Sequence, residues 1–205
     1  MTNKQETIFS YLDELYPTAH CELNYQKDYE LLIAVMLSAQ TTDKAVNKVT
    51  ALLFSKYKSV EEIANANLSD IEQIISSIGM YKVKAKNVIG ISKGLVERFN
   101  SKVPNDKEKL LSLPGVGNKT ANCVLAELFN EPYLALDTHM QRFAKRLGIA
   151  KNKDSLEVME KKYLAFIPKD RLIKTNHQII WFGRYKCKAI SPNCDNCKLS
   201  EFCKK

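Results

Sequence analysis

The chain has 205 residues, a hydrophobic fraction of 45% and a formal net charge of +8, with a pI near 9.1. That length can bury a full core in one domain or two small ones, and the basic balance favours an anionic partner, nucleic acid ahead of an acidic membrane surface. No apolar run is long enough to span a bilayer and the opening Met1-Thr2-Asn3-Lys4-Gln5-Glu6 is polar, which argues against a membrane protein and for a soluble one of the cytoplasm.

Helical periodicity recurs from end to end and strand alternation is nearly absent, so the expected fold is all-α. Ile8, Tyr11, Leu12 and Leu15 make a first helical stripe, which Pro17 ends. After Asp28 the run Leu31-Leu32-Ile33-Ala34-Val35-Met36-Leu37 is apolar all round, as in a helix buried at the centre of a domain. The polar break Ser38-Ala39-Gln40-Thr41-Thr42-Asp43 precedes a stripe at Val46, Val49, Leu52 and Leu53. Ser59 with Glu62, and Ser69 with Glu72, have the spacing of a capping box and predict two helix starts. The second of these helices carries Ile71, Ile74, Ile75 and Ile78 and is expected to close at Gly79. Lys82, Lys84 and Lys86 then lead into a stripe at Val88, Ile91 and Leu95.

Lys107 to Leu111 reads as a short helix leading into Leu113-Pro114-Gly115-Val116-Gly117-Asn118-Lys119-Thr120-Ala121. Pro114 cannot continue a helix and the two glycines tolerate positive φ, so the chain turns sharply. A new helix follows, with Ala121, Val124, Leu125, Leu128 and Phe129 along one face, which completes a helix-hairpin-helix. Its N-terminus, reached through Gly115, Val116 and Gly117, presents N–H groups and a positive dipole end suited to a phosphate. Lys119 stands in the first turn, where the dipole disfavours its protonated form, so it is a candidate nucleophile as well as a cation. A plain helical corner with a solvated lysine also fits these nine residues. The phosphate loop of nucleotide hydrolases does not, because Asn118 separates Gly117 from Lys119. Beyond Phe129, Tyr133-Leu134-Ala135-Leu136 is a short apolar stretch ending in Asp137-Thr138-His139, and further helices are expected near 155–163 and 170–182. An aspartate in the place of Asp137, before a helix, is the ordinary N-cap.

Cys187, Cys194, Cys197 and Cys203 have six, two and five residues between them. A zinc ribbon usually has two close pairs and a longer insert, whereas four thiolates on one compact loop fit an iron-sulfur cluster. Cys21 and Cys123 read as structural. Arg184, Lys186, Lys188, Lys198, Lys204 and Lys205 surround the four cysteines, so a loop stiffened by Pro192 is expected to meet a phosphate backbone, Lys188 included.

Taken together, the glycine turn 113–121, Leu136-Asp137-Thr138-His139 and the terminal Cys-x6-Cys-x2-Cys-x5-Cys resemble the endonuclease III family of base-excision DNA glycosylases, over essentially the whole chain. The segments 32–43 and 78–87 are similar to that family as well. The resemblance implies a helical domain at 22–131 that holds the hairpin, a cluster domain at 1–21 and 132–205 with a 4Fe-4S cluster on the four cysteines, and a DNA-binding cleft between the two lobes. It implies Lys119 as nucleophile, Asp137 as its carboxylate partner, Gln40 filling the gap left by a flipped nucleotide and Met80 wedged against the opposite strand. The activity implied is a bifunctional glycosylase and AP lyase, a monomer acting on double-stranded DNA with damaged bases or abasic sites and excising oxidised pyrimidines through a Schiff base and β-elimination. Two departures stand out. The wedge is more usually leucine, and Phe182 occupies a position that often holds histidine. An adenine glycosylase of the same fold would carry glutamate at Ala34 and lack the lysine nucleophile. A thymine or uracil mismatch glycosylase, and a non-catalytic iron-sulfur DNA-binding or electron-transfer protein, are the remaining alternatives.

Overall fold

The computed structural model describes residues 1–205. Its regular elements are all helical: α1 (Asn3–Leu15), α2 (Asp28–Leu37), α3 (Asp43–Lys56), α4 (Val60–Ala64), α5 (Leu68–Ile74), α6 (Tyr81–Phe99), α7 (Lys107–Leu111), α8 (Asn118–Phe129), α9 (Thr138–Arg146), α10 (Leu156–Phe166) and α11 (Leu172–Trp181), with short 3-10 and π turns near the end. No helix is long and apolar enough to cross a membrane. The chain divides into two compact units, a continuous one at Glu22–Glu131 and a terminal one made of Met1–Cys21 and Pro132–Lys205.

The continuous unit is built around α2. Leu31, Leu32, Ile33, Ala34 and Leu37 are fully buried, and the helix packs against α3, α6 and α8, which is why it has no polar face. Its one buried acid, Glu30, accepts the Gln26 and Lys27 N–H groups at 2.7 and 3.3 Å. α6 is the long brace, touching α2, α4 and α5. On α6, an added Cβ on Gly90 would fall 2.6 Å from Pro114 Cγ, and one on Gly94 would fall 2.5 Å from Leu113 Cδ2. Two missing side chains thus let α6 lie directly against the hairpin turn.

Two helix boundaries differ from the sequence expectation. Ser59 caps α4, accepting the Glu62 N–H at 3.2 Å, but α5 begins one residue before Ser69, with Asn67 as its cap and Ser69 N–H donating to Asn67 Oδ1. Two good capping types two residues apart compete, and the earlier one has won here. Likewise α5 ends at Ile74 rather than at Gly79; Ile75 and Ile78 are buried from the turns that follow.

In the terminal unit α1 and α9 both pack on α11, and α10 packs on α9. Ile8, Leu12, Met140, Phe143, Tyr163, Ile179 and Phe182 form its centre. The buried Tyr163 hydroxyl donates to the Met140 carbonyl at 2.6 Å, and burial pushes its phenol far up. Phe182, the departure noted above, is 2% exposed and stands edge-on to Phe143 and Tyr11. It acts as core, with no polar role. At the α1–α11 seam Asp13 meets Arg171 at 2.7 Å, Lys174 at 2.8 Å and Gln178 at 2.9 Å. Burial alone would raise its pKa, yet these donors together hold it down to about 2.

Candidate functional site

The hairpin turn between α7 and α8 is pinned by the burial of Leu113 and Val116 and by the Val116 N–H, which donates to the Leu113 carbonyl at 3.2 Å. Pro114, Gly115 and Gly117 stay exposed. Gly115 has φ of +75°, and a Cβ there would collide with the Asn87 amide, so glycine alone satisfies both backbone and space. Gly117 is the N-cap of α8, and no side chain caps that end. The bare N–H groups and dipole make this the anion-favouring end of the helix. Lys119 lies exposed in its first turn. Of the three turn residues expected to meet a ligand, Gly115 and Gly117 are open, while Val116 serves as the buried anchor of the turn.

Gln40 and Met80 are both exposed, Met80 by 52%. Gln40 lies in the loop between α2 and α3, and Met80 is the N-cap of α6. Both have left-handed backbones, at φ 54° and 58°. This conformation costs a non-glycine residue about 1–3 kcal/mol and persists where the surroundings enforce it, characteristically at functional positions. Nothing in the sequence spacing marks either residue as strained, and Gly79, immediately before Met80, is not the one that takes the positive φ.

In the terminal unit Asp137 is the N-cap of α9, accepting the Met140 N–H on Oδ1 at 2.8 Å. Two residues on, His139 Nδ1 accepts from Arg142 Nη2 at 3.0 Å. A guanidinium only donates, so Nδ1 carries no proton. Burial pushes the imidazole pKa down, with Asp137 opposing and Arg142 adding to the effect. Arg142 also donates to the Cys187 carbonyl at 2.9 Å and the Gly183 carbonyl at 2.8 Å. The Asp137 helix is therefore tied to the start of the cysteine loop. Sequence reasoning missed Arg142, because its partners lie more than 40 residues away in the chain.

The loop leaves α11 through a π turn at Phe182–Lys186. Asn193 N–H donates to the Lys186 carbonyl at 3.0 Å, and Cys197 N–H to the Cys194 carbonyl at 3.1 Å. None of the four cysteines is in a disulfide, and all four line one cavity of about 230 Å³, whose other walls include Phe143, Leu147, Phe182 and Leu199. No three His, Cys, Asp or Glu side chains converge closely enough to grip a single ion. Arg146 donates to Cys187 Sγ and to the Lys188 carbonyl, both at 3.0 Å. The Lys188 side chain is exposed, whereas Lys198 is drawn to Glu14 at 2.5 Å.

Residues 33–169 match the family described as HhH-GPD superfamily base excision DNA repair protein. The chain is 46% identical over 193 residues to endonuclease III of Bacillus subtilis strain 168, covering 94% of this chain and 88% of that one. It is 39% identical over 200 residues to endonuclease III of Escherichia coli strain K12, covering 98% and 94%. The fold superposes with a TM-score of 0.92, at 44% identity, on a trapped endonuclease III-DNA covalent intermediate in an estranged-adenine complex, covering 100% of this chain and 97% of that one.

Proposed function

The chain belongs to the HhH-GPD superfamily of base excision DNA repair proteins, and on that premise we propose that it is a bifunctional DNA glycosylase and AP lyase that removes oxidised pyrimidines from duplex DNA. The observation that carries this reading is Lys119, an exposed amine on the first turn of an uncapped helix beside an open glycine turn, in a chain similar along its length to an enzyme trapped covalently on DNA. The turn would hold the backbone of the damaged strand through its N–H groups, which leaves the lysine free for chemistry. A base inside a duplex is out of reach, so the nucleotide must be extruded at a cost of a few kcal/mol. Gln40 and Met80, projecting from enforced backbones, offset part of it.

The uncharged Lys119 amine attacks the anomeric carbon, the glycosidic bond breaks, and the base leaves with the bonding electrons and takes up a proton. Opening of the sugar ring leaves a protonated imine between lysine and sugar. Loss of the acidified neighbouring proton expels the phosphate and cuts the strand. Asp137 supplies the carboxylate that helps deprotonate the amine and balances the cationic sugar. Its capping bond from the Met140 N–H fixes the orientation of the carboxylate.

The four cysteines Cys187, Cys194, Cys197 and Cys203, which line one cavity with apolar walls, support the reading that their thiolates would hold a 4Fe-4S cluster. With every thiolate committed to iron, the group would serve to fix the basic loop and would offer no position to substrate. Purified protein should contain about four iron atoms per chain; zinc in their place would refute this assignment. An adenine glycosylase is disfavoured by the fully buried Ala34 on α2, where no carboxylate stands.

The deciding experiment is reductive trapping. Borohydride added during turnover of a duplex with one oxidised pyrimidine should join protein to DNA, and Lys119→Gln should abolish both the adduct and strand cleavage while still binding duplex. A Lys119→Gln protein that cross-links and cleaves would overturn the mechanism.

A further inference from the structure

Lys84 is the one lysine among the buried residues, 3% exposed on the inner side of α6. A buried ammonium is costly and an apolar side chain would fill the space, so its contacts should explain its presence. Nζ donates to the Ala39 carbonyl at 2.8 Å and to Thr41 Oγ1 at 2.8 Å. Thr41 Oγ1 in turn donates to the Ala39 carbonyl at 3.3 Å. The residue between those two anchors is Gln40, whose φ of 54° belongs to a turn closed by the Thr41 N–H donating to the Ser38 carbonyl at 3.0 Å. Met80, also left-handed, is the N-cap of the same helix one turn earlier, and its carbonyl accepts the Lys84 N–H at 3.0 Å.

We propose that Lys84 is a positioning residue for base extrusion: its side chain clamps the loop on both sides of Gln40 and fixes it relative to Met80, so that the two intruding side chains enter the duplex as one rigid element. The backbone bond to Met80 is one that any helical residue would make; the specific part is the ammonium reaching across to the 39–41 loop. Desolvation lowers the Lys84 pKa, in keeping with a charge held away from water for the sake of its two acceptors. This inference rests on the glycosylase reading above and deepens it.

The test is a double-mutant cycle on the full-length holoprotein. Lys84→Met keeps the stem and removes both hydrogen bonds. Single-turnover excision of an oxidised pyrimidine should slow about tenfold to a hundredfold, as expected when charged hydrogen bonds positioning a loop are lost. The emission rise of a 2-aminopurine placed opposite a reduced abasic site, which reports intrusion into the stack, should largely disappear, while duplex affinity stays within about twofold because phosphate contacts are intact. Gln40→Ala should do the same, and the double variant should be no slower than the slower single, the mark of residues acting as a unit. A lysine that served stability alone would leave emission unchanged, or give losses that multiply with Gln40→Ala; either result overturns the proposal. Thr41→Val, which removes one acceptor of the clamp, should show the same non-additivity at smaller size, and it decides the matter should Lys84→Met fail to fold. If the unaltered protein neither excises nor raises emission, the glycosylase reading itself falls, a result distinct from additive losses in an active enzyme.

Discussion

Replacing Gly90 by alanine sets two effects of known size against each other. In an open helix interior the change should stabilise by about 1 kcal/mol, because glycine loses more backbone entropy than alanine on folding. Gly90 is not open: the new Cβ would lie 2.6 Å from Pro114 Cγ, well inside van der Waals contact. The atom it meets belongs to a ring at the hairpin turn, flanked by the buried Leu113 and the positive-φ Gly115. Relief therefore requires α6 and the hairpin to separate. Overpacking of that kind costs about 1–3 kcal/mol, so the net change should be a destabilisation of about 1 kcal/mol, after the helix gain is subtracted. The functional effect should be larger than the stability effect, since the displaced turn is the one proposed to hold the DNA backbone. Far-UV circular dichroism melts and fluorescence anisotropy with a labelled duplex measure the two. A Gly90→Ala protein that is more stable than the parent and binds DNA equally well would show that the hairpin does not depend on its seat against α6.

Asp13→Asn should remove an acid-sensitive contribution to stability. A carboxyl held at about 2 in the folded state, against an ordinary 3.8, contributes at neutral pH; because the group is partly exposed, solvent screening reduces this to about 1 kcal/mol. The folded pKa is depressed, so the contribution is present above pH 4 and lost as pH falls from about 4 to about 2. Parent and variant should differ at pH 7 and converge at the acid end in urea titrations; a constant difference would remove Asp13 from the effect. Lys188→Ala should lower the slope of log affinity against log salt by about one unit, with lesion preference unchanged. An identical slope would take Lys188 out of the interface.

What was legible in the sequence follows from the range of each interaction. The apolar run in α2, the cap at Ser59 and the bounds of α7 depend on residues a few positions apart, and they read correctly. Asn67 and Ser69 show the limit of that reasoning, because local rules allow either to cap α5. The seat of the hairpin rests on Gly90 and Gly94, four apart in the middle of a helix. That spacing was a usable signal of close approach, one turn apart on the same face, that composition alone obscures. Lys84 carried half a signal: four residues before Val88 it extends the stripe of Val88, Ile91 and Leu95 and faces away from Lys82 and Lys86, but only the fold shows that its ammonium reaches the loop 45 residues earlier. Arg142 and Arg146 were hidden for the same reason, their acceptors being 41 to 45 residues distant.

The structural role of Asp137 and the chemical role proposed for it can be separated by two substitutions. As the N-cap of α9 it accepts the Met140 N–H at 2.8 Å, and asparagine caps about as well as aspartate. Asp137→Asn should therefore melt within about 1 kcal/mol of the parent, whereas Asp137→Ala, which leaves the N–H unpaired, should lose about 1 kcal/mol more. For the chemistry the order is different. Both variants lack the charge proposed above to balance the cationic sugar, and removal of one such stabilising group costs about a hundredfold to a thousandfold in turnover. Asparagine should thus be nearly as slow as alanine while nearly as stable as aspartate. His139 gives a check independent of activity: Asp137 is the one charged neighbour that raises its pKa, beside the Gly183 backbone, so in Asp137→Asn the imidazole should titrate lower still, as read from its ring-proton shifts. An Asp137→Asn protein that turns over like the parent would confine this aspartate to capping, and the carboxylate partner of the lysine would have to be sought elsewhere.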